Sequence, residues 1–154
     1  MSLIWDKRYL QLAETIATWS KDPSTQVGAV AVGHKGQILS QGYNGFPRGV
    51  KDFEYRLTER EVKYDLIVHA EMNCIYNATY NGVSLDGATL YVHGLPICHE
   101  CAKAIIQVGI QRVVMPDYFQ ATTGISCLVA AKWQTSFDKT KRMFNECNIM
   151  MDYV

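Results

Sequence analysis

Two short motifs set the terms for this chain: His69-Ala70-Glu71 within V-H-A-E-M-N, and Cys98-His99-Glu100-Cys101 within L-P-I-C-H-E-C-A-K. One imidazole and two cysteines on a three-residue spacing offer three ligands to a tetrahedral zinc ion. A fourth position is then left for water, which distinguishes a catalytic zinc from a closed structural one. His69 and Cys98 each read as the opening residue of a helix. A helix amino end carries partial positive charge and lowers a thiol's pKa. Cys98 and Cys101, one turn apart, project to the same side, and His69 joins them from the facing helix. Glu71 is poorly placed as a fourth ligand. It is well placed to take a proton from a metal-bound water and hand it on. A closed structural site would need another cysteine or histidine, and Cys74 is the candidate. Five residues beyond His69 on one helix, it points about 140° away from that ligand.

The spacing H-x-E…C-x-x-C is the signature of zinc-dependent nucleobase deaminases. Further stretches extend the match in order: S-K-D-P-S-T-Q-V-G-A-V at 20–30, G-Y-N-G-F-P-R-G at 42–49, H-A-E-M-N at 69–73, T-L-Y-V at 89–92 and C-x-E-C-A-K-A-I-I-Q at 98–107. On these residues the chain resembles the cytidine and deoxycytidylate deaminase superfamily, most closely its dCMP deaminases, from Lys7 to Met115. The G-Y-N-G-x-P stretch carries the narrower match. Ile97 stands before the first zinc cysteine, where the family usually has proline.

The resemblance implies a fold, an activity and a set of roles. The fold is an α/β three-layer α/β/α sandwich with a mixed, about five-stranded central sheet, spanning residues 1–154 as one domain. The activity is hydrolysis of dCMP to dUMP and ammonia, with zinc-bound hydroxide attacking carbon 4 of cytosine, and it supplies dUMP for thymidylate synthesis. His69, Cys98 and Cys101 hold Zn2+, and Glu71 shuttles protons to ring nitrogen 3 and to the leaving amine. The Ala70 amide donates to the pyrimidine carbonyl, and Asn44 takes the sugar hydroxyl, its amide being both donor and acceptor. Ser24 borders the nucleotide, or else makes a local turn bond. Tyr118 or Phe119 covers the pyrimidine, or else packs in the core. Regulated members bind dCTP as activator at the loop that is Gly42, Tyr43, Asn44 and Gly45 here, and dCTP and dTTP are the expected effectors. Homo-oligomers, hexamers among them, are the family's usual state. Other deaminase substrates are free cytidine, a purine base or tRNA adenosine.

Periodicity supplies the framework independently. Trp5, Tyr9, Leu12, Ile16 and Trp19 recur at helical steps, which predicts one apolar face with Asp6, Lys7, Glu14 and Thr18 outside it. Val27–Val32 and Ile38-Leu39, joined across Gly36, read as a hairpin. Residues 51–63 mix charges at helical spacing and read as a solvated face, with Arg48, Arg56 and Arg60 as unranked phosphate candidates. The helix from His69 is expected to bury Met72, Ile75, Tyr76 and Thr79 before Asn81-Gly82 ends it. Strand 88–92, a helix from Cys98 to Gly109, strand 112–115, a helix through Trp133, Phe137 and Phe144, and strand 149–153 follow. That alternation favours a mixed sheet layered by helices. His93, at a strand end, reads as a pocket wall.

Composition narrows the partners. Lysine plus arginine equals aspartate plus glutamate, 15 against 15. Nucleic-acid-binding domains are usually visibly basic, so a polymeric substrate is disfavoured. No stretch reads as a signal peptide or a membrane span. Five cysteines, two of them spoken for by zinc, leave an odd remainder that argues against a disulfide framework and for a cytoplasmic protein.

Overall fold

The computed structural model describes residues 2–118 and 125–154, with backbone alone at 125–130. Phe119 and the 120–124 segment, expected as ring cover and loop, lie outside the described residues, as does the side chain of Cys127. The elements run α1 (Leu3–Ala17), β1 (Gly28–Val32), β2 (Ile38–Tyr43), α2 (Glu54–Thr58), α3 (Arg60–Leu66), α4 (Ala70–Tyr80), β3 (Thr89–His93), α5 (His99–Gln107), β4 (Arg112–Met115), α6 (Ile125–Glu146) and β5 (Met150–Tyr153). The five strands form one mixed sheet ordered β2-β1-β3-β4-β5. β1 pairs antiparallel with β2 and β3, whereas β3, β4 and β5 run parallel. The expected hairpin turns at Gly36, whose φ of +83° suits a residue without a side chain.

Strand alternation divides the core. Val30, Val32, Tyr91 and Val114 face α1, where Tyr9, Leu10, Ala13 and Ile16 meet them. Ala29, Ala31, Leu90, Val92, Val113 and Met115 face the other layer, with Ala70, Cys74, Ile105, Phe137 and Phe144 from α4, α5 and α6. Helices on both faces of the sheet make the three-layer sandwich, and they bring the starts of α4 and α5 to the same side.

The inner face of α1 differs from the expected one. Trp5 and Trp19 are about half exposed, whereas Asp6 is buried. Ala13 sets the phase, because a Cβ on Gly28 of β1 would collide with its carbonyl oxygen, so helix and strand touch backbone to backbone. Asp6 then points inward, where Arg112 of β4 meets it with 2.8 and 3.0 Å hydrogen bonds and the Tyr91 hydroxyl donates at 2.7 Å. Arg112 also donates to Asp152 at 2.7 Å. No hydropathy pattern reveals a partner 106 residues away.

α4 is likewise rotated from expectation. Ala70, Glu71, Cys74, Ile75 and Ala78 are buried, while Tyr76 and Thr79 are exposed.

The Asp6–Arg112 pair generates the first prediction. Burial favours the neutral acid, but the bonds from Arg112 and Tyr91 outweigh it and hold the Asp6 carboxyl below its ordinary 3.8. A depressed carboxyl stabilises the fold above its unfolded pKa, and that stability is lost as pH falls through the folded value. Asp6→Asn should cost about 1.5–3 kcal/mol near pH 7, because it removes one of the two carboxylates that Arg112 bonds and leaves only Asp152. In urea unfolding, the wild type and variant should converge as pH drops below 3.8.

Candidate active site

The site is assembled on β2. Past its end, Gly45 and Val68 exchange a pair of backbone hydrogen bonds, 3.1 and 2.8 Å, which fixes the chain one residue before His69. α4 then starts from His69 as an extended N-cap and lies directly on β2. A Cβ on Gly42 would run into the Cys74 amide nitrogen and the Ala70 carbonyl, so only glycine allows this approach. Three polar side chains bolt helix to strand: Ser40 Oγ donates to the Cys74 carbonyl (2.7 Å), Asn73 Nδ2 to Tyr43 (2.7 Å) and Asn77 Nδ2 to Gln41 (2.6 Å).

The second arm is the start of α5. Cys98 is its extended N-cap, and its sulfur accepts from the Cys101 amide at 3.4 Å. α6 holds this turn from behind. Thr140 Oγ1 donates to the Ile97 carbonyl at 2.9 Å, and Ser136 Oγ lies 3.1 Å from the His99 amide and 2.8 Å from its Nδ1. Ile97, the departure from the family pattern, is fully buried, so Leu95 and Pro96 are the residues that face the cavity.

The two arms meet where the spacing requires. His69 Nδ1 stands 3.4 Å from Cys98 Sγ and 3.3 Å from Cys101 Sγ. These ligand atoms all lie within 4.8 Å of one another, and they are the one such group among the described residues. Cys74 is buried elsewhere on the helix, and burial pushes its thiol up to about 12. Two thiols and one imidazole suit zinc and leave the fourth tetrahedral position open. The three groups are electrostatically coupled through these contacts. The bond from Cys101 lowers Cys98 to about 4, and the bond to Cys98 raises His69 to about 9. Cys101 is pushed upward, first by its bond to Cys98 and then by burial. Zinc binding requires all three in their deprotonated forms. Beside them, Glu71 is buried, and desolvation raises its carboxyl to about 7 despite the imidazole nearby.

A cavity of about 380 Å3 opens onto this cluster, within the range of about 300–1,000 Å3 usual for small-molecule sites. His69, Ala70, Glu71 and Cys98 form one part of its lining. The Ala70 amide, at the first helical position, has no intrahelical acceptor. Asn44 lines the cavity, but its Oδ1 accepts from the Val27 amide (2.8 Å) and its Nδ2 donates to the Thr25 carbonyl (2.9 Å), which leaves one N–H to spare. Ser24 is also on the wall, its Oγ donating to Asp22 (2.8 Å) and accepting from Lys63 (2.7 Å). In the expected effector segment, Gly42 lies under α4, Tyr43 meets Trp19 edge to face and Gly45 pairs with Val68.

Tyr118 takes the core alternative, and His93 lies elsewhere than expected. The Tyr118 hydroxyl accepts from the Gly94 amide at 2.7 Å, and its ring packs on the core away from the cavity lining. His93 faces α1, its Nε2 4.0 Å from Glu14 and its buried Nδ1 without a partner among the described residues. The reason is register: β3 directs His93 to the face that Tyr91 occupies. The aromatics that line the cavity are Tyr64 of α3 and Trp133 of α6, with Lys132 also on the wall. Sequence reading placed Trp133 in packing, and no local pattern signals that a helix so far along the chain returns to the metal loop.

Comparison with known proteins agrees with this geometry. Residues 3–116 match the family described as the cytidine and deoxycytidylate deaminase zinc-binding region. An uncharacterized deaminase of Aliivibrio fischeri is 37% identical over 150 residues, covering 97% of this chain and 93% of that protein. Human deoxycytidylate deaminase is 40% identical over 117 residues, covering 73% of this chain; the chain spans 64% of that relative's length. The crystal structure of dCMP deaminase from cyanophage S-TIM5 in complex with dCMP and dUMP superposes with a TM-score of 0.74 at 23% identity, covering 100% of this chain and 99% of that one.

Metal content checks the ligand set. Cys98→Ala should lose the zinc and, with it, part of the folding free energy. Cys74→Ala should keep one zinc per chain by elemental analysis.

Proposed function

This chain belongs to the cytidine and deoxycytidylate deaminase zinc-binding family, and from that premise we propose that it hydrolyses dCMP to dUMP and ammonia. The observation that carries the reading is Glu71, a buried carboxyl two residues from His69 beside a three-ligand metal cluster, in a cavity sized for a small molecule. The relative named deoxycytidylate deaminase supports the choice of substrate.

Zinc held by His69, Cys98 and Cys101 supplies the Lewis acidity that makes a water nucleophilic near neutral pH. Glu71 takes a proton from the attacking water and delivers it to ring nitrogen 3, which makes carbon 4 more electrophilic. The water oxygen adds to carbon 4, and Glu71 then relays the proton of the new hydroxyl to the amino group, so that the C–N bond breaks, ammonia leaves and the carbonyl of uracil forms. The free Ala70 amide donates to the pyrimidine carbonyl, and the spare N–H of Asn44 meets the sugar hydroxyl. Ser24 belongs to the wall that borders the nucleotide. The product suits thymidylate synthesis, which fits a cytoplasmic setting.

Glu71→Gln should retain zinc and lower turnover by at least the roughly 10²–10⁴-fold that general acid–base transfer contributes. Ammonia release from dCMP, deoxycytidine, cytidine and guanine, paired with zinc analysis, checks this. Near-normal deamination by a zinc-loaded Glu71→Gln protein would refute the role. Titrating dCTP and dTTP into the same assay, with light scattering, tests effector control at 42–45 and the expected homo-oligomer.

A further inference from the structure

We infer that Lys63 is a positioning residue: it latches residues 46–67 over the cavity as a hinged lid, and through that lid it sets how the substrate is held. The inference goes beyond the proposed reaction and rests on it only for the kinetic half of its test. The segment leaves the body and rejoins it at one point, because Gly45 and Val68 exchange backbone hydrogen bonds just before His69. Every residue from Phe46 to Ile67 is exposed or half-buried. Its two helices, α2 and α3, bury no residue, and helices this short are marginal in water without packing. Yet Thr58, Arg60, Lys63, Tyr64 and Ile67 make up one wall of the cavity. A wall with no core of its own is held in place by its tethers.

The tethers are unequal. Arg48 reaches Asn77 and the face of Tyr80, which fixes only the stem beside the pinch. Lys21 meets Asp52 at 2.6 Å with the lysine side chain 70% exposed, and a pair so open to water contributes little. Arg56 turns back within the segment, to the Tyr55 hydroxyl at 3.0 Å and the Lys51 carbonyl at 3.3 Å. Lys63 differs from these in burial and in the number of its bonds. Its side chain is 12% exposed and that of Asp22 4%. Nζ lies 3.2 Å from each carboxylate oxygen and donates to Ser24 Oγ at 2.7 Å. Asp22 is itself fixed by the Ser24 and Thr25 amides, at 2.9 and 3.2 Å. Asp22, Ser24 and Thr25 belong to another wall of the same cavity. Lys63 therefore ties one wall to the other beside the space that a substrate fills. Breaking those bonds frees the segment to turn about the Gly45–Val68 pinch without unpacking the core, as segments with few buried contacts do.

Hydrogen exchange on zinc-loaded protein without substrate tests the latch. Lys63→Met should speed exchange across 54–66 by about tenfold, the worth of one charged hydrogen bond, and leave α4 and α5 at the wild-type rate. Lys63→Arg should restore part of the protection, and Lys21→Ala should change little. Lys63→Met combined with Asp22→Asn removes the contact without stranding the acid, and serves where the single variant folds poorly. With dCMP, both Lys63→Met proteins should lose about tenfold in kcat/KM, through KM more than kcat, at unchanged zinc content. A lysine that only props up the fold would lower stability and leave KM alone. Wild-type exchange across 54–66 in both proteins would overturn the latch. Faster exchange with an unaltered KM would overturn the positioning role, and the deaminase reading would survive either result. A wild type that releases no ammonia despite bound zinc would overturn that reading, and the exchange rates would still decide the latch.

Discussion

The approach of α4 to β2 is the contact on which the site depends. It is possible because Gly42 has no side chain, so strand backbone meets the turn of helix that carries Ala70 and Cys74. Ser40, Asn73 and Asn77 then tie helix to strand through backbone carbonyls, and the Gly45–Val68 pair delivers the chain to His69 at a set point. Rigid seating matters because His69 and Glu71 sit two residues apart on one helix start. Tilting α4 would move His69 and Glu71 together, away from the cysteines.

The cysteines have their own support. Both helix starts are capped by a metal ligand in extended geometry, so the two positive helix ends point at one spot. That field suits thiolates and offsets part of the cost of burying them. From behind, Ser136 and Thr140 of α6 hold the loop that carries Cys98. On the opposite face of the sheet, Asp6, Tyr91, Arg112 and Asp152 link α1 to three neighbouring strands through charge-assisted bonds. The reacting groups are thus supported by packed layers on both faces of the sheet.

The cavity is polar in two different ways. Its buried part offers one raised carboxyl, a free amide and the metal cluster, which suit proton transfer to a ring. Its exposed part carries cations from α3 and α6, with the nearby Asp22 paired to Lys63. A ligand that is flat and nitrogenous at one end and anionic at the other has one favourable orientation in such a space.

Much of this was legible along the chain because it is local. Strand alternation, the turn at Gly36 and the caps at His69 and Cys98 depend on neighbours a few residues away. The metal ligands and Glu71 could be named because a three-residue spacing at a helix start fixes where side chains point. The inward face of α1 was misread because Asp6 is buried by a partner on β4, and His93 because only strand pairing says which face of β3 it occupies. Trp133 and Lys132 entered the cavity wall through the return of α6, and Arg60 was singled out from its neighbours by what Arg48 and Arg56 already bind. The chemistry of the centre is therefore written in short-range covalent spacing. The shape and charge of the space around it come from long-range packing, where a residue's role depends on what the fold places opposite it.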